Sequence, residues 1–152
     1  MNITITGLVD TQAHLDEMIR RMEDMSDPFE SIRGEISKSI GESFMQEGRP
    51  AHWAARVSDA QGHFRHPDKL THPILRKTRR LFQAAIGASS EFFFRTWYGI
   101  NTSILHYGVT VPYAKATHFG DGHVAARPFL HVQETDKLRF VAIILQYLMR
   151  RV

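Results

Sequence analysis

The N-terminal part of the chain changes from a period of two to a helical period. Ile3 and Ile5 alternate with threonines over Asn2–Thr6, which predicts a half-buried strand that ends at Gly7. Asp10 is a candidate cap for the helix that follows. In that helix, apolar side chains recur every three or four residues, at Leu15, Met18, Ile19 and Met22.

A second helix is predicted from residue 27 to residue 48. Asp27 is the expected N-cap, because Pro28 suits the first helical position and Glu30 follows three residues after the cap. Gly48 is suited to end the helix. One face of the predicted helix is apolar and consists of Phe29, Ile32, Ile36, Ile40 and Phe44.

Residues 49–73 show no sustained period. They hold four of the nine histidines, several prolines and few aliphatic residues. An irregular stretch of this length inside a compact domain is typical of a functional loop or of local disorder. We expect it to be mobile in the free subunit and to become ordered against a partner, with Trp53 and Phe64 as aromatic anchors.

Shorter elements are predicted over 74–133. A helix is expected over 74–88, strands over 91–97 and 101–111, and a short helix over 113–120. Arg127 precedes a proline and must be extended, so a further strand is expected from there to Gln133.

The last helix is expected from Thr135 or Asp136 to about Arg150. Its apolar residues cover most of its circumference, so it must be buried on more than one side, by the core or by another copy. This order of elements predicts an α+β domain spanning residues 1–152, with a mainly antiparallel sheet, helices packed on one face and the long irregular loop in the middle.

Charge is unevenly distributed along the 152 residues. Residues 1–48 carry 10 acidic and 4 basic side chains, whereas residues 49–80 carry 2 acidic and 8 basic ones. Such an asymmetry suits complementary contacts between copies or a basic patch for an anionic partner.

Several classes of protein are disfavoured. No apolar run approaches the length of a membrane span, and the N-terminus has no signal-peptide pattern, so neither membrane insertion nor secretion is expected. The absence of cysteine excludes disulfides, thiolate zinc sites and a cysteine nucleophile.

No complete catalytic or metal-binding constellation is present. There is no phosphate-binding glycine loop, GxSxG or HExxH motif. His63 and His66 with Asp68, or His118 with Asp121 and His123, supply incomplete ligand sets, and solvated polar loops explain them better. We expect no enzymatic activity, no cofactor and no metal.

A basic stretch contains Arg76, Arg79 and Arg80. It could contact phosphates, but a solvated helix face, alone or paired with the acidic helices, explains it better. Trp97 and Tyr98 could stack on bases, although aromatics at a strand end belong more often to a core or an interface.

The second half of the chain contains Tyr107–Ala114, His118-Phe119-Gly120 and Ala126–Leu130, followed by Asp136 and an apolar helix. In this combination it resembles the phage virion morphogenesis family, the tail completion proteins of Mu-like and related contractile-tailed phages and prophages. Ser39–Gly48, Arg49-Pro50 and Trp53 are compatible with the family's earlier half. The likeness covers about residues 30–150.

The chain departs from the family pattern at two places. Thr78 is followed by Arg79 where the family has glycine, so this turn is expected to become continuous helix. The histidine near Phe119 also lies one position later than in the family, at His118 instead of Thr117.

The resemblance implies a structural protein that completes the tail so that a head can join. It implies a hexameric ring of copies that binds the tail tube or head–tail connector proteins, in the bacterial cytoplasm during assembly and then in the virion tail. Candidate partner-binding or architectural positions are Tyr113, Phe119, Gly120, Arg127, Pro128, Phe129 and Leu130. Phe129 is expected in the core, with Arg127 paired to a carboxylate or to backbone carbonyls.

Two other functions stay open. A neck or head–tail connector protein is the nearer alternative, and a basic nucleic-acid-binding module is the more distant one. Steep salt dependence of DNA affinity in the free monomer would favour the latter.

Overall fold

Five helices and one antiparallel β-hairpin make up the described part of the chain, so the fold class is α+β as predicted. The structure is a computed structural model that describes residues 8–54, 73–99, 102–121 and 124–150. The predicted strand at Asn2–Thr6 lies outside these residues. The elements are α1 (Leu8–Glu23), α2 (Ser26–Met45), α3 (Arg80–Ala85), β1 (Phe92–Gly99), β2 (Thr102–Val109), α4 (Ala114–Phe119) and α5 (Glu134–Leu148).

Helix α2 provides the central apolar face. All five residues of its predicted stripe are buried. Its start differs from the prediction, because Asp24 Oδ1 accepts the Ser26 N–H at 3.0 Å and turns the chain early. Met25 is the N-cap, and Asp27 lies within the first turn, so the expected Asp27 cap is wrong.

The end of α2 reverses the chain sharply. The Gly48 N–H donates to the Ser43 carbonyl at 2.8 Å, and Gly48 has a φ of 119°. A Cβ at this position would lie 2.5 Å from Ala51 O and 2.6 Å from Trp53 N. Only glycine permits this close approach, which returns Trp53 to the end of α2.

The hairpin pairs Phe92 with Val109 and Gly99 with Thr102 at its two ends. One face packs on the helices, where the Tyr98 ring stacks on Phe29 with centroids 6.0 Å apart. Leu105, Tyr107 and Val109 lie on this face, with their side chains packed against the core.

The predicted helix over 74–88 is wrong in its first half. Residues 74–79 form turns, and the helix covers only Arg80–Ala85. Leu75 and Arg79 have positive φ values of 61° and 57°. Since a right-handed helix needs negative φ, two such residues prevent continuous helix here.

The predicted strand from Arg127 to Gln133 is not formed. The Arg127 N–H donates to the Thr117 carbonyl of α4 at 2.9 Å, and the Leu130 N–H points to His118 Nδ1 at 3.4 Å. Pro128 has no N–H to give. The hydrogen bonds of this segment therefore go to α4 instead of a sheet edge.

Polar contacts fix both ends of α5. Its N-cap is Gln133, not Thr135 or Asp136, and Asp136 completes a capping box from the third helical position. Asp136 is almost fully buried and accepts a 2.5 Å hydrogen bond from Ser39 of α2. At the other end, Arg21 of α1 donates to the carbonyls of Tyr147 and Leu148.

Helix α1 begins before the residue expected to cap it. Asp10 lies in its first turn, where a carboxylate still favours the positive end of the helix dipole. In the described part of the chain, no helix is long and apolar enough to cross a membrane.

An aromatic cluster joins the elements. Phe44 is fully buried, and its ring centroid lies 5.3 Å from Trp53, 5.3 Å from Phe82 and 5.9 Å from Phe129. These rings come from α2, the segment after it, α3 and the segment before α5. One side chain therefore holds four parts of the chain together.

We predict that Phe44→Ala destabilises the protein by about 3–5 kcal/mol, because it removes a fully buried ring and leaves a cavity. Urea unfolding followed by circular dichroism measures the change. Met45→Ala is the matched control, since Met45 is the next residue of α2 and is exposed. Equal stability of the two variants would contradict a central role for Phe44.

Candidate functional site

Three separate pieces of the family-like pattern meet in one place, here called the brace: Trp53, the α4 segment and residues 126–130. Trp53 Nε1 donates to the Pro128 carbonyl at 3.0 Å, and Arg127 Nε donates to the Ala54 carbonyl at 3.1 Å. Phe129 is 1% exposed and packs on Phe44. The predictions that Phe129 is in the core and that Arg127 binds a backbone carbonyl are confirmed.

The placement of Trp53 corrects one expectation. It was predicted to anchor a mobile loop that packs only on assembly, but it is already buried in the single chain. Its N–H donates to the Glu47 carbonyl at 2.7 Å, and the Glu47 carboxylate accepts the Ile74 N–H at 2.7 Å. Glu47 thus binds the backbone at Trp53, before residues 55–72, and at Ile74, after them. Phe64 and the rest of 55–72 lie outside the described residues.

Gly120 makes a close backbone contact in the brace. Its φ is 78°, and a Cβ there would lie 2.9 Å from Val124 O and 3.0 Å from Ala126 N. Gly120 therefore lies close to the backbone of Val124 and Ala126, and the Arg127 N–H reaches the Thr117 carbonyl. A side chain at position 120 would separate these segments.

His118 is enclosed between two aromatic rings. Its ring centroid lies 5.2 Å from that of Phe129 and 4.6 Å from that of Phe119. Burial lowers the pKa of His118, and nearby His131 lowers it further. The neutral imidazole fits this position, since its Nδ1 faces the Leu130 N–H.

Several candidate residues in and beside the brace face solvent. Phe119 is 73% exposed, Tyr113 is 42% exposed, and Pro128 is also exposed. Leu130 is half-buried against the core. The candidate positions therefore divide into a buried set that shapes the surface and an exposed set available to a partner.

The basic stretch is largely occupied by internal contacts. Arg80 forms a two-pronged ion pair with Glu91, whose hydrogen bonds from Arg80 lower the Glu91 pKa. Arg76 lies over the Phe82 ring, 5.3 Å from its centroid, and points a nitrogen at the Met45 sulfur. Arg79 is exposed. Two of these three arginines already contact other side chains, which disfavours phosphate binding by this stretch.

Two concave sites are lined by described residues. A cavity of about 100 Å³ lies beside Ser39, Tyr107 and Asp136, smaller than the roughly 300–1,000 Å³ of a ligand pocket. A wider groove of about 710 Å³ lies between the start of α2 and the end of α5. No group of three metal-binding side chains occurs among the described residues. The candidate ligands His63, His66, Asp68 and His123 lie outside them.

Sequence reasoning missed one exposed feature. Leu15, Ile19 and Met22 recur at helical spacing in α1 as predicted, and each is more than half exposed. The helical spacing identified the stripe correctly, but it contains no information about which side of the helix meets the rest of the protein.

Comparison with known proteins found no matching family model, no similar curated protein and no similar solved structure.

We predict that Arg79→Gly leaves the stability unchanged or raises it by up to about 1 kcal/mol. Arg79 has a left-handed backbone, which costs little for glycine and more for other residues. The matched control is Gln83→Gly, an exposed position inside α3, where glycine should cost about 1 kcal/mol. Thermal unfolding compares them, and equal losses in both variants would exclude the left-handed turn.

We predict that the wild-type protein loses stability relative to His118→Gln as the pH falls below 6.5, the ordinary histidine value. The folded state holds the pKa of His118 lower, so the unfolded chain binds the proton first and acid favours unfolding. Urea midpoints between about pH 7.5 and 5.5 test this. Parallel pH profiles for both proteins would contradict it.

Proposed function

We propose that this chain is a tail completion protein of a contractile-tailed phage or prophage, which finishes the tail and prepares it for head joining. The single observation that carries the proposal is the brace. Three separate pieces of the family-like pattern contact one another directly through Trp53, Thr117 and Arg127. If the short motifs resembled the family only by chance, they would have no reason to contact one another in the fold.

A second observation supports the same proposal. Where the family has glycine, this chain has Arg79, and its φ of 57° is the backbone conformation that glycine favours. Residues around Arg79 therefore form a turn although arginine stands where the family has glycine. The expectation that this substitution makes the helix continuous is wrong.

The mechanism we propose is binding without chemistry. Six copies form a ring on the end of the tail tube in the bacterial cytoplasm and remain in the virion. The buried side chains of the brace, Trp53 and Phe129, position the exposed side chains of Phe119 and Tyr113. These two exposed rings contact the tail tube or the head–tail connector. Exposed aromatic side chains commonly supply much of the binding energy of an interface.

The nucleic-acid alternative has weaker support. Arg80 is neutralised by Glu91, and Arg76 is placed over Phe82, so few basic side chains of this stretch are available for phosphates. The connector alternative remains close, because it uses the same kind of protein–protein contact. The experiment below distinguishes the two proposals, because a connector defect affects the head and a tail completion defect affects the tail.

We predict that disruption of the gene leaves full heads and unjoined tails in lysates of the induced prophage, because the tail end that receives the head is missing. Electron microscopy of the lysate measures this, and expression of the wild-type chain should restore joined particles. Defective heads beside complete tails would favour the connector function. Normal virions would overturn the proposal.

Complementation with point variants tests the proposed contact. Phe119→Ala should restore joining poorly, because it removes the exposed ring, whereas Lys115→Ala on the same helix should restore it fully. Both positions are exposed, so neither variant should unfold the protein.

A further inference from the structure

The outer edge of β1 carries backbone groups that point away from β2. The Thr110 N–H donates to the Glu91 carbonyl at 2.7 Å, which marks these two residues as a hydrogen-bonded pair at the base of the hairpin. Hydrogen-bonded and non-bonded pairs alternate along an antiparallel ladder. Because the register is continuous throughout β1, the N–H and C=O groups of Phe94, Thr96 and Tyr98 face outward.

Within the described part of the chain, nothing pairs with this edge. The sheet has two strands there, and none of the hydrogen bonds outside the hairpin involves the backbone of Phe94, Thr96 or Tyr98. Natural proteins protect such an edge with proline, lysine, a bulge or a covering element. Strand β1 has eight residues, no proline or lysine and no bulge. Its outer edge is therefore a template for a further strand.

The edge of β1 is also less covered on its inner side than that of β2. Leu105, Tyr107 and Val109 of β2 pack against the core. Tyr98 of β1 faces the helices as well, where it stacks on Phe29, yet it is 40% exposed. The exposed part of this ring leaves apolar area that the side chains of an added strand can cover.

The chain itself contains one more segment with the pattern of a strand. Ile3 and Ile5 alternate with threonines over Asn2–Thr6, which lies outside the described residues. A strand needs another strand, because buried backbone N–H and C=O groups without partners cost free energy. Paired with the edge of β1, with its isoleucines on the inner side, this segment would extend the apolar face beside Tyr98.

Helix α1 begins away from the body of its own copy. Gly7 alone separates the predicted strand from this helix, so the two must lie side by side. Every residue from Asp10 to Asp16 is exposed, and Arg21 attaches the helix to the last carbonyls of α5. At 1.5 Å per residue, Leu8 lies about 20 Å along the helix from Arg21. This arrangement favours the hairpin of a neighbouring molecule as the partner of residues 2–6.

The apolar side of α1 also lacks cover. Leu15, Ile19 and Met22 are each more than half exposed. Helices of this length gain most of their stability from burial of an apolar face against other parts of a protein. A neighbour that receives the segment before α1 can cover these side chains at the same time.

We propose that residues 2–6 of one copy add to the outer edge of β1 of the next copy as a third strand. A second copy is the partner because the chain supplies both halves of the contact, a strand without an edge and an edge without a strand. Main-chain hydrogen bonds give the affinity, and Ile3 and Ile5 give the specificity. Strand and edge are different surfaces, so the contact is heterologous and repeats head to tail into a ring or a filament.

The test compares wild type with three variants by sedimentation velocity. Deletion of residues 2–6 removes the strand and leaves every described residue in place. Thr96→Pro removes an outward N–H from the edge of β1. Ser103→Pro is the matched control, because Ser103 pairs with Tyr98 and its N–H faces outward from the other strand. We expect wild type and Ser103→Pro to assemble, and the deletion and Thr96→Pro to be monomeric with unchanged circular dichroism.

Mixing the two monomeric variants gives the decisive result. The deletion variant retains the edge and Thr96→Pro retains the strand, so the mixture should form a 1:1 dimer that cannot extend. A mixture that stays monomeric would contradict the proposal. So would assembly of the deletion variant as in wild type, equal loss of assembly in both proline variants, or a wild-type chain that is monomeric at all concentrations.

Amide hydrogen exchange tests the pairing without a proline. The Thr96 and Tyr98 amides should be protected in wild type, increasingly so at higher protein concentration, and unprotected in the deletion variant. Protection that does not depend on concentration would assign the strand to its own hairpin and refute the exchange between copies. Absence of protection at every concentration would refute the pairing altogether.

This inference rests on the proposed function for its ring, but the contact and the function fail separately. Unjoined tails after gene disruption, together with unprotected Thr96 and Tyr98 amides, would refute the contact and leave the tail function in place. Assembly as expected, together with normal virions after gene disruption, would refute the function and leave the contact.

Discussion

The packing of Phe44 against three other aromatic rings is the interaction on which the rest of the structure depends. Trp53, Phe82 and Phe129 belong to parts of the chain with little regular structure of their own, and each is fixed by contact with this one side chain of α2. Burial of large rings gives the apolar area that short helices lack. The brace is therefore a consequence of the core, and the exposed candidate residues are positioned by it.

Buried polar contacts then determine how the long helices lie. Asp136 joins the start of α5 to Ser39 of α2, and Arg21 joins its end to α1. Each replaces hydrogen bonds to water with bonds to otherwise unsatisfied groups at a helix end. Helix α5 is held at both ends and along its inner side, and Leu138, Val141 and Leu145 on its outer side stay exposed. The same arginine turns the polar side of α1 inward and its apolar stripe outward.

These two levels of organisation give the protein two kinds of surface. Beside the brace lie Phe119 and Tyr113, on a short helix whose end is shaped by Gly120. On the outer sides of α1 and α5 lie exposed apolar side chains such as Ile19 and Leu138.

The sequence by itself determined the α+β class, the buried stripe of α2, the hairpin and the core position of Phe129, because periodicity and a proline restrict the local backbone directly. The sequence-based prediction was wrong at three places. Asp24 displaced the expected Asp27 cap, α4 took the hydrogen bonds of the expected strand after Arg127, and left-handed backbones at Leu75 and Arg79 ended the expected helix. Only the tertiary structure decided which side of α1 faces outward. An amphipathic pattern states that a helix has an apolar face, whereas the contacts of Arg21 decide whether that face meets the core or a partner.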